Sequence, residues 1–412
     1  MASLLRRDLS RSRVLVAGAA DQAVVSLYSL VSLVIAARNL EPDELGVFTS
    51  ALVFYQVLIV VSRALNGEPL VVLAGDRDAD NRSRVLIASV IAALPLSAAG
   101  SVAFVLSDSG FWRAVWICLI CAPLIIGYDA LRYTLLAELK TQRLFVLDAL
   151  VVSFQVLVLS AVFAYSDSVI FALLGVSLVY SGPLLFALAS TRCPRREWLT
   201  WYSLSKNYGL SFFAESIWGA LLQWILVFAI AHYAGLAEAA AFRSIVVIYG
   251  VTNVVTNFLR STVLSFIVNR GRVTATRALR DAGIMVSAIA VTIGVSALVL
   301  LSISDSIGVF FLGDTWPLAA PYIALGALTR LSAAIEAVPG VLLRAARVTW
   351  AVVRVRVIVG VVSLGVCSWA TWMWSVEGAF YSMALMSWVL TISLAALLVV
   401  RLRREPQSQG TS

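Results

Sequence analysis

The stretch Val14 to Ala37, VLVAGAADQAVVSLYSLVSLVIAA, decides how the rest of the chain is read. At 1.5 Å per residue it is long enough to cross a hydrocarbon layer about 30 Å thick. It lacks a small-residue cleavage site and is too long for a signal-peptide core, so it is read as a first membrane helix that is retained. Its one charged residue, Asp21, lies inside the apolar run.

Comparable runs fill the chain. Of 412 residues, 61% are hydrophobic and 13% charged, against roughly half and about a quarter in soluble domains. Hydropathy gives twelve spans. The first six are Val14 to Ala37, Gly46 to Leu65, Val85 to Leu106, Ala114 to Leu135, Phe145 to Ala164 and Val169 to Ser190; the second six are Tyr208 to Tyr233, Ala240 to Phe266, Asp281 to Ser302, Trp316 to Leu343, Val355 to Trp374 and Gly378 to Val400. The expected fold is therefore an all-α polytopic membrane protein of about twelve transmembrane helices. Residues 1–190 would form one six-helix bundle, 191–207 a cytoplasmic amphipathic connector, 208–404 a second bundle and 405–412 a disordered tail.

The formal charge of +8 would suit a nucleic-acid partner in a soluble protein, but the arginines are distributed otherwise. Most of the 31 basic residues fall in alternate loops: Arg6 to Arg13, Arg77 to Arg84, Lys140 and Arg143, Arg192 to Lys206, Arg270 to Arg280, Arg344 to Arg356 and Arg401 to Arg404. Cationic loops stay cytoplasmic, so both termini are expected in the cytoplasm and the chain in the inner (plasma) membrane. Trp369, Trp372 and Trp374, and Trp198, Trp201 and Tyr202, read as interfacial belts. The four cysteines lie in or beside apolar stretches and His232 is the single histidine; Cys118-x-x-Cys121 lacks further ligands nearby and reads as packing, so no metal site is expected.

The halves resemble each other. Residues 20–70 shifted by 194 positions place Asp21 on Glu215, Glu44 on Glu238, Phe48 on Phe242 and Tyr55 on Tyr249. Six spans per half give both repeats the same orientation, and parallel repeats of this kind flank a central binding cavity in transporters. Pseudo-symmetric bundles around such a cavity are the expected architecture.

Charges within spans mark function by default, because each costs about 2.5–3.5 kcal/mol at mid-membrane on insertion scales. Arg330, near the centre of the tenth span with Glu336 six residues on, reads either as an anion-binding group or as the partner of an acid. Asp21 and Glu215 occupy matched places and read equally as a proton or sodium site or as counter-charges for arginines; Glu336 is a further candidate for ion coupling. Arg63, Arg132, Arg243 and Arg260 complete the cationic candidates. For Arg132, Arg243 and Arg260 snorkelling to the interface is the favoured reading, with Asp129 one turn from Arg132 as an alternative partner.

Leu40-Glu41-Pro42 followed by Gly46-Val47-Phe48, Leu312-Gly313-Asp314-Thr315-Trp316 followed by Pro321, Arg344-Ala345, and Gly378-Ala379 occur in an order that resembles the multidrug, oligosaccharidyl-lipid and polysaccharide exporter superfamily, and most nearly its Wzx-type flippases. The resemblance implies two six-helix bundles, a central cationic cavity and the movement of a polyprenyl-pyrophosphate-linked oligosaccharide to the outer leaflet, without catalytic residues or cofactor. It makes Arg330, Arg63, Arg260, Arg132 and Arg243 candidates for the anionic head. The implied partners are a lipid-linked glycan, membrane lipids and other polysaccharide-assembly proteins, and no nucleic acid. An exporter of small amphipathic molecules is the nearest alternative. A membrane glycan polymerase or glycosyltransferase is disfavoured by the short outer loops.

Overall fold

The computed structural model describes residues 2–73, 79–138, 140–191, 198–254, 256, 275–345 and 349–404. Every regular element among them is helical. The chain divides into two compact units, Met1–Trp224 and Ile225–Ser412.

The first unit holds α1 (Ala2–Asn39), α2 (Pro42–Ser62), a π turn (Arg63–Gly67), α3 (Glu68–Leu73), α4 (Ala79–Leu106), α5 (Gly110–Ile120), α6 (Ala122–Ala137), α7 (Thr141–Tyr165), α8 (Val169–Leu178), α9 (Ser181–Ala189) and most of α10 (Trp198–Tyr233). Helix α1 packs on α7, α4 on both α5 and α6, and α2 on α5 and α6. The second unit holds α11 (Leu236–Gly250), α12 (Ala275–Leu301), α13 (Asp305–Leu312), α14 (Trp316–Ala319), α15 (Ile323–Ala345) and α16 (Thr349–Arg404).

Burial runs opposite to that of a water-soluble helix. On α7, Asp148, Val151, Gln155, Leu159 and Phe163 are buried, a stripe at helical spacing, whereas Val146, Leu150, Phe154 and Leu157 are exposed. Helix α12 does the same, with Met285, Ile289 and Ile293 packed inward and Ile284, Val291, Val295 and Leu298 outward. Large apolar side chains facing outward along whole helices need lipid as their solvent, and an interior that admits carboxylates and glutamine is what remains.

Among the described residues nine helices are long and apolar enough to cross a membrane, or ten if the bent pair α5–α6 makes one span. The twelve expected spans map onto these elements unevenly. The fourth corresponds to α5 and α6, which meet at 48° where Cys121 leaves helical geometry and Pro123 opens α6. The eighth is described only in part, through α11. The eleventh and twelfth run together in α16, which leaves helical geometry at Trp374 and Ser375. Ser375 there takes φ +51°, ψ −134°, close to the +53°, −141° that Gly313 adopts before α14. Only glycine visits that region without strain, so the bend after Trp374 is held against a local preference by the packing of Gly378 on the Ala370 carbonyl.

Over its described part the expected connector at 191–207 is continuous with the next helix: residues 198–207 belong to α10, and the chain divides into its two compact units at Trp224–Ile225. One expectation needs correction. Trp201 is not an interfacial belt residue. It is wholly buried against Leu70, Val85, Leu86, Ala88, Ala130 and Leu184, because its indole N–H finds a buried acceptor, Asn66 Oδ1, at 3.2 Å. Tyr202 donates to the Ala88 carbonyl at 3.1 Å, while Trp369, Trp372 and Trp374 are exposed as a belt requires. Cys118 and Cys121 are buried thiols in α5 and at its end, with Cys118 donating to the Ala51 carbonyl. The tail at 405–412 lies outside the described residues.

Candidate functional site

Helix α6 carries Tyr128, Asp129 and Arg132 within about one turn, with Tyr128 and Arg132 at i, i+4 on one face. The buried stripe of α7 brings Asp148 to that face, and α1, packed on α7, brings Asp21. Arg132 joins them. Its Nε donates to Asp148 Oδ2 at 2.7 Å, and its Nη2 lies 2.7 Å from the same oxygen and 3.1 Å from Asp21 Oδ2. Tyr128 donates to the other oxygen of Asp148 at 2.5 Å. Arg132 Nη1 stands 3.8 Å from Asp129 Oδ1.

The π turn delivers a second guanidinium. Arg63 Nε and Nη2 each donate to Asp129 Oδ1 at 3.0 Å. Behind Asp148 the ring of Tyr128 stacks on Tyr180 with centroids 4.5 Å apart, and Tyr55 donates to the Tyr180 hydroxyl at 2.5 Å. The three aspartates are each 3% exposed, the Arg132 side chain 13% and that of Arg63 36%. The inner group is thus one guanidinium between two buried carboxylates, with Arg63 and Asp129 as an outer pair.

Satisfaction within this group is uneven. Asp148 accepts from both Arg132 and Tyr128, and Asp129 accepts twice from Arg63. Asp21 has a single donor, and its Oδ1 is buried with no hydrogen-bond partner among the described residues; the same holds for Asp129 Oδ2. A buried carboxylate oxygen without a donor is costly, and it marks Asp21 as the member least stabilised in its charged form.

In the second unit, Arg330 on α15 donates through Nε to Thr252 Oγ1 at 2.9 Å and through Nη2 to Asn253 Oδ1. The helix approach that allows this is close: Gly326 has no side chain where Ile245 and Tyr249 of α11 pass, and Tyr249 donates to the Ile323 carbonyl at 3.0 Å. Glu336 faces Arg356, Nη2 to Oε1 3.9 Å. Arg243 on α11 is 5% exposed, and no described side chain forms an ion pair with it; its Nε has no hydrogen-bond partner among the described residues.

The expected site residues therefore separate. Arg63, Arg132 and Asp21 come together, Arg132 as an ion-paired group and not as a snorkelling one. Arg243 does not snorkel either, since the neighbouring alanines and Phe242 are as buried as it is. Arg260 lies outside the described residues, as does the side chain of Glu215. Sequence reasoning overlooks Asp148, Tyr128 and Tyr180. The available signal was a carboxylate within the fifth span, which membrane insertion penalises like any other. Among the described residues no group of three or more His, Cys, Asp or Glu is arranged to hold a metal ion.

No protein-family model and no curated protein matches this sequence. Solved structures do match. An inward-facing multidrug resistance MATE family transporter of the MOP superfamily superposes with TM-score 0.61 at 15% identity over 93% of this chain and 96% of the other. Lipid II flippase MurJ in an inward closed conformation gives TM-score 0.67 at 13% identity over 93% and 87%. The eukaryotic MATE transporter AtDTX14 gives 0.56 at 10% over 98% of each chain. The chain has the fold of the MOP-superfamily transporters.

Likeness at this identity carries the fold alone; the MOP neighbours themselves are transporters and flippases. It does not carry their substrates. On this fold the chain places charge inside its helices: guanidiniums matched to aspartates in the first unit, and a buried guanidinium without a described carboxylate in the second.

Proposed function

We propose that this chain is a flippase that moves a polyprenyl-pyrophosphate-linked oligosaccharide from the cytoplasmic to the outer leaflet of the plasma membrane by alternating access, in service of cell-surface polysaccharide assembly. The single observation that carries the reading is Arg243. A guanidinium buried in a membrane helix requires an anion, and the described side chains supply none. A pyrophosphate head suits it, because arginine meets such groups bidentately and gains most where water is excluded. Arg330, whose guanidinium donates to Thr252 and Asn253 from within the tenth span, is the second cation assigned to the head.

The first unit powers the cycle in this reading. Arg132 offsets only one of Asp21 and Asp148, so the inner group carries one negative charge in excess and takes up one proton. Asp21 is the acceptor, having the fewest donors. Protonation leaves Arg132 paired with Asp148 and with Asp129 of its own helix, and releases α1, which bears Asp21, from its tie to α6. The groups facing Asp21 in this process are Arg132 from α6 and Asp148 from α7. A proton is the ion of this reading because Asp148 already accepts from Arg132 and Tyr128, and a proton needs one oxygen where a metal ion needs several. The alternating positive loops of the sequence support cytoplasmic termini.

The multidrug MATE neighbours keep an exporter of small amphipathic cations as a second reading, and the buried aspartates favour it. One experiment separates the two. In cells lacking the gene and any redundant flippase, lipid-linked glycan is expected to accumulate on the cytoplasmic leaflet. The intact gene should restore its distribution and the Arg243→Gln form should not. A normal leaflet distribution in the deletion strain rejects the flippase; sensitivity to cationic dyes that Arg243→Gln still relieves would establish the exporter.

A further inference from the structure

The π turn at Arg63–Gly67 departs from α geometry between α2 and α3 and presents side chains to two different elements. Its defining bond runs from the Glu68 N–H to the Arg63 carbonyl, five residues apart. The inserted residue rotates every later side chain of the helix by about 100° around its axis. Arg63 before the insertion faces Asp129 on α6; Asn66 near its end accepts from Trp201 of α10, and Gly67 lies flat against the Tyr133 ring, where an added Cβ would stand 2.6 Å from Cγ. Asn66 is 5% exposed and Trp201 fully buried.

A π turn is less favourable than a regular one and persists where its surroundings hold it. Two groups hold this one. Tyr133 admits only glycine at 67, and the indole N–H of Trp201 fixes the Asn66 amide. Removing the extra residue's accommodation would rotate Arg63 and Asn66 relative to each other, so Arg63–Asp129 and Asn66–Trp201 cannot both survive a change in the turn. Trp201 sits near the start of α10, a continuous helix whose residues beyond Trp224 belong to the second unit.

We propose that Trp201 and Asn66 are a positioning pair that holds the π turn in the register presenting Arg63 to Asp129, so that the state of the charge cluster and the seating of α10 in the first unit are read by each other through this turn. Neither residue belongs to the charge cluster itself. Its role is mechanical: loss of the Arg63–Asp129 contact frees the turn, and freeing the turn loosens the indole of Trp201. The inference concerns the same cluster as the proposed proton uptake, but its test reads geometry and not transport, so either can fail without the other.

The test is fluorine NMR of the full chain labelled with fluorotryptophan and held in lipid nanodiscs. Loss of a signal in Trp201→Phe assigns the Trp201 resonance; should that variant not fold, removing the remaining eleven tryptophans one at a time assigns it by elimination. Asp129→Asn and Arg63→Gln, neither of which touches Trp201 directly, are each expected to displace its resonance. Asp305→Asn, whose carboxylate accepts from Trp316 at 3.1 Å, should displace the Trp316 signal and leave Trp201 in place. A Trp201 resonance unmoved in both Asp129→Asn and Arg63→Gln overturns the proposal, as does an equal displacement by Asp305→Asn.

Discussion

Arg132→Leu is expected to abolish accumulation of folded protein. The side chain is the only described cation in contact with Asp21 and Asp148, both almost fully buried. Breaking a buried ionic group by removing one partner costs about 3–5 kcal/mol, a large share of the roughly 5–15 kcal/mol that holds a typical domain together. The contacts of Arg132 tie α1, α6 and α7 at once, so the loss falls on the centre of the first unit. Neutralising the orphaned acids should return most of it: Arg132→Leu combined with Asp21→Asn and Asp148→Asn is expected to yield monodisperse protein after detergent extraction. Arg132→Lys should rescue only partly, because an ammonium lacks the planar fork that reaches both carboxylates. A single Arg132→Leu variant that melts with the intact protein would show that the group contributes nothing to stability.

Arg243→Met is expected to do the reverse. If the guanidinium is kept for a substrate anion, it is a standing cost in the empty protein, up to about 2.5–3.5 kcal/mol on insertion scales. Replacing it with a flexible apolar side chain of similar length should raise the melting temperature while reducing substrate movement tenfold or more. Such a trade of stability for activity is common at functional sites. An arginine serving a structural ion pair would behave oppositely, since its removal would leave a buried acid uncompensated. Melting temperature and transport measured on the same preparation therefore decide between the two roles: a fall in both marks a structural arginine.

How legible these features were in the sequence differs by residue. The helices were plain because lipid imposes one rule on every span: backbone groups satisfied internally and apolar side chains outside. Asp21 and Arg132 were visible as charges inside spans. Their partnership was not, because it joins the first, fourth and fifth spans, residues 111 positions apart for Asp21 and Arg132, and no local spacing encodes such a meeting. Snorkelling was the favoured reading for Arg132 since a span end offers an interface nearby; three aspartates on the inner faces of α1, α6 and α7 outweighed it. Trp201 looked like an interfacial residue for the same reason, and Asn66 drew it inward. The π turn has no signature beyond Gly67 and Pro69, and both are ordinary in membrane helices. The break at Ser375 was invisible too, since a serine forced into glycine's conformation reveals itself only in coordinates.

Transbilayer movement of a polyprenyl-pyrophosphate-linked glycan by the purified protein in sealed vesicles, with and without a pH difference, tests the central claim most directly. The rate is expected to rise when the compartment facing the outer side of the protein is the more acidic, and Asp21→Asn should remove that response while leaving the protein folded. A rate indifferent to the gradient in the intact protein, or a gradient response that survives Asp21→Asn, would contradict the account.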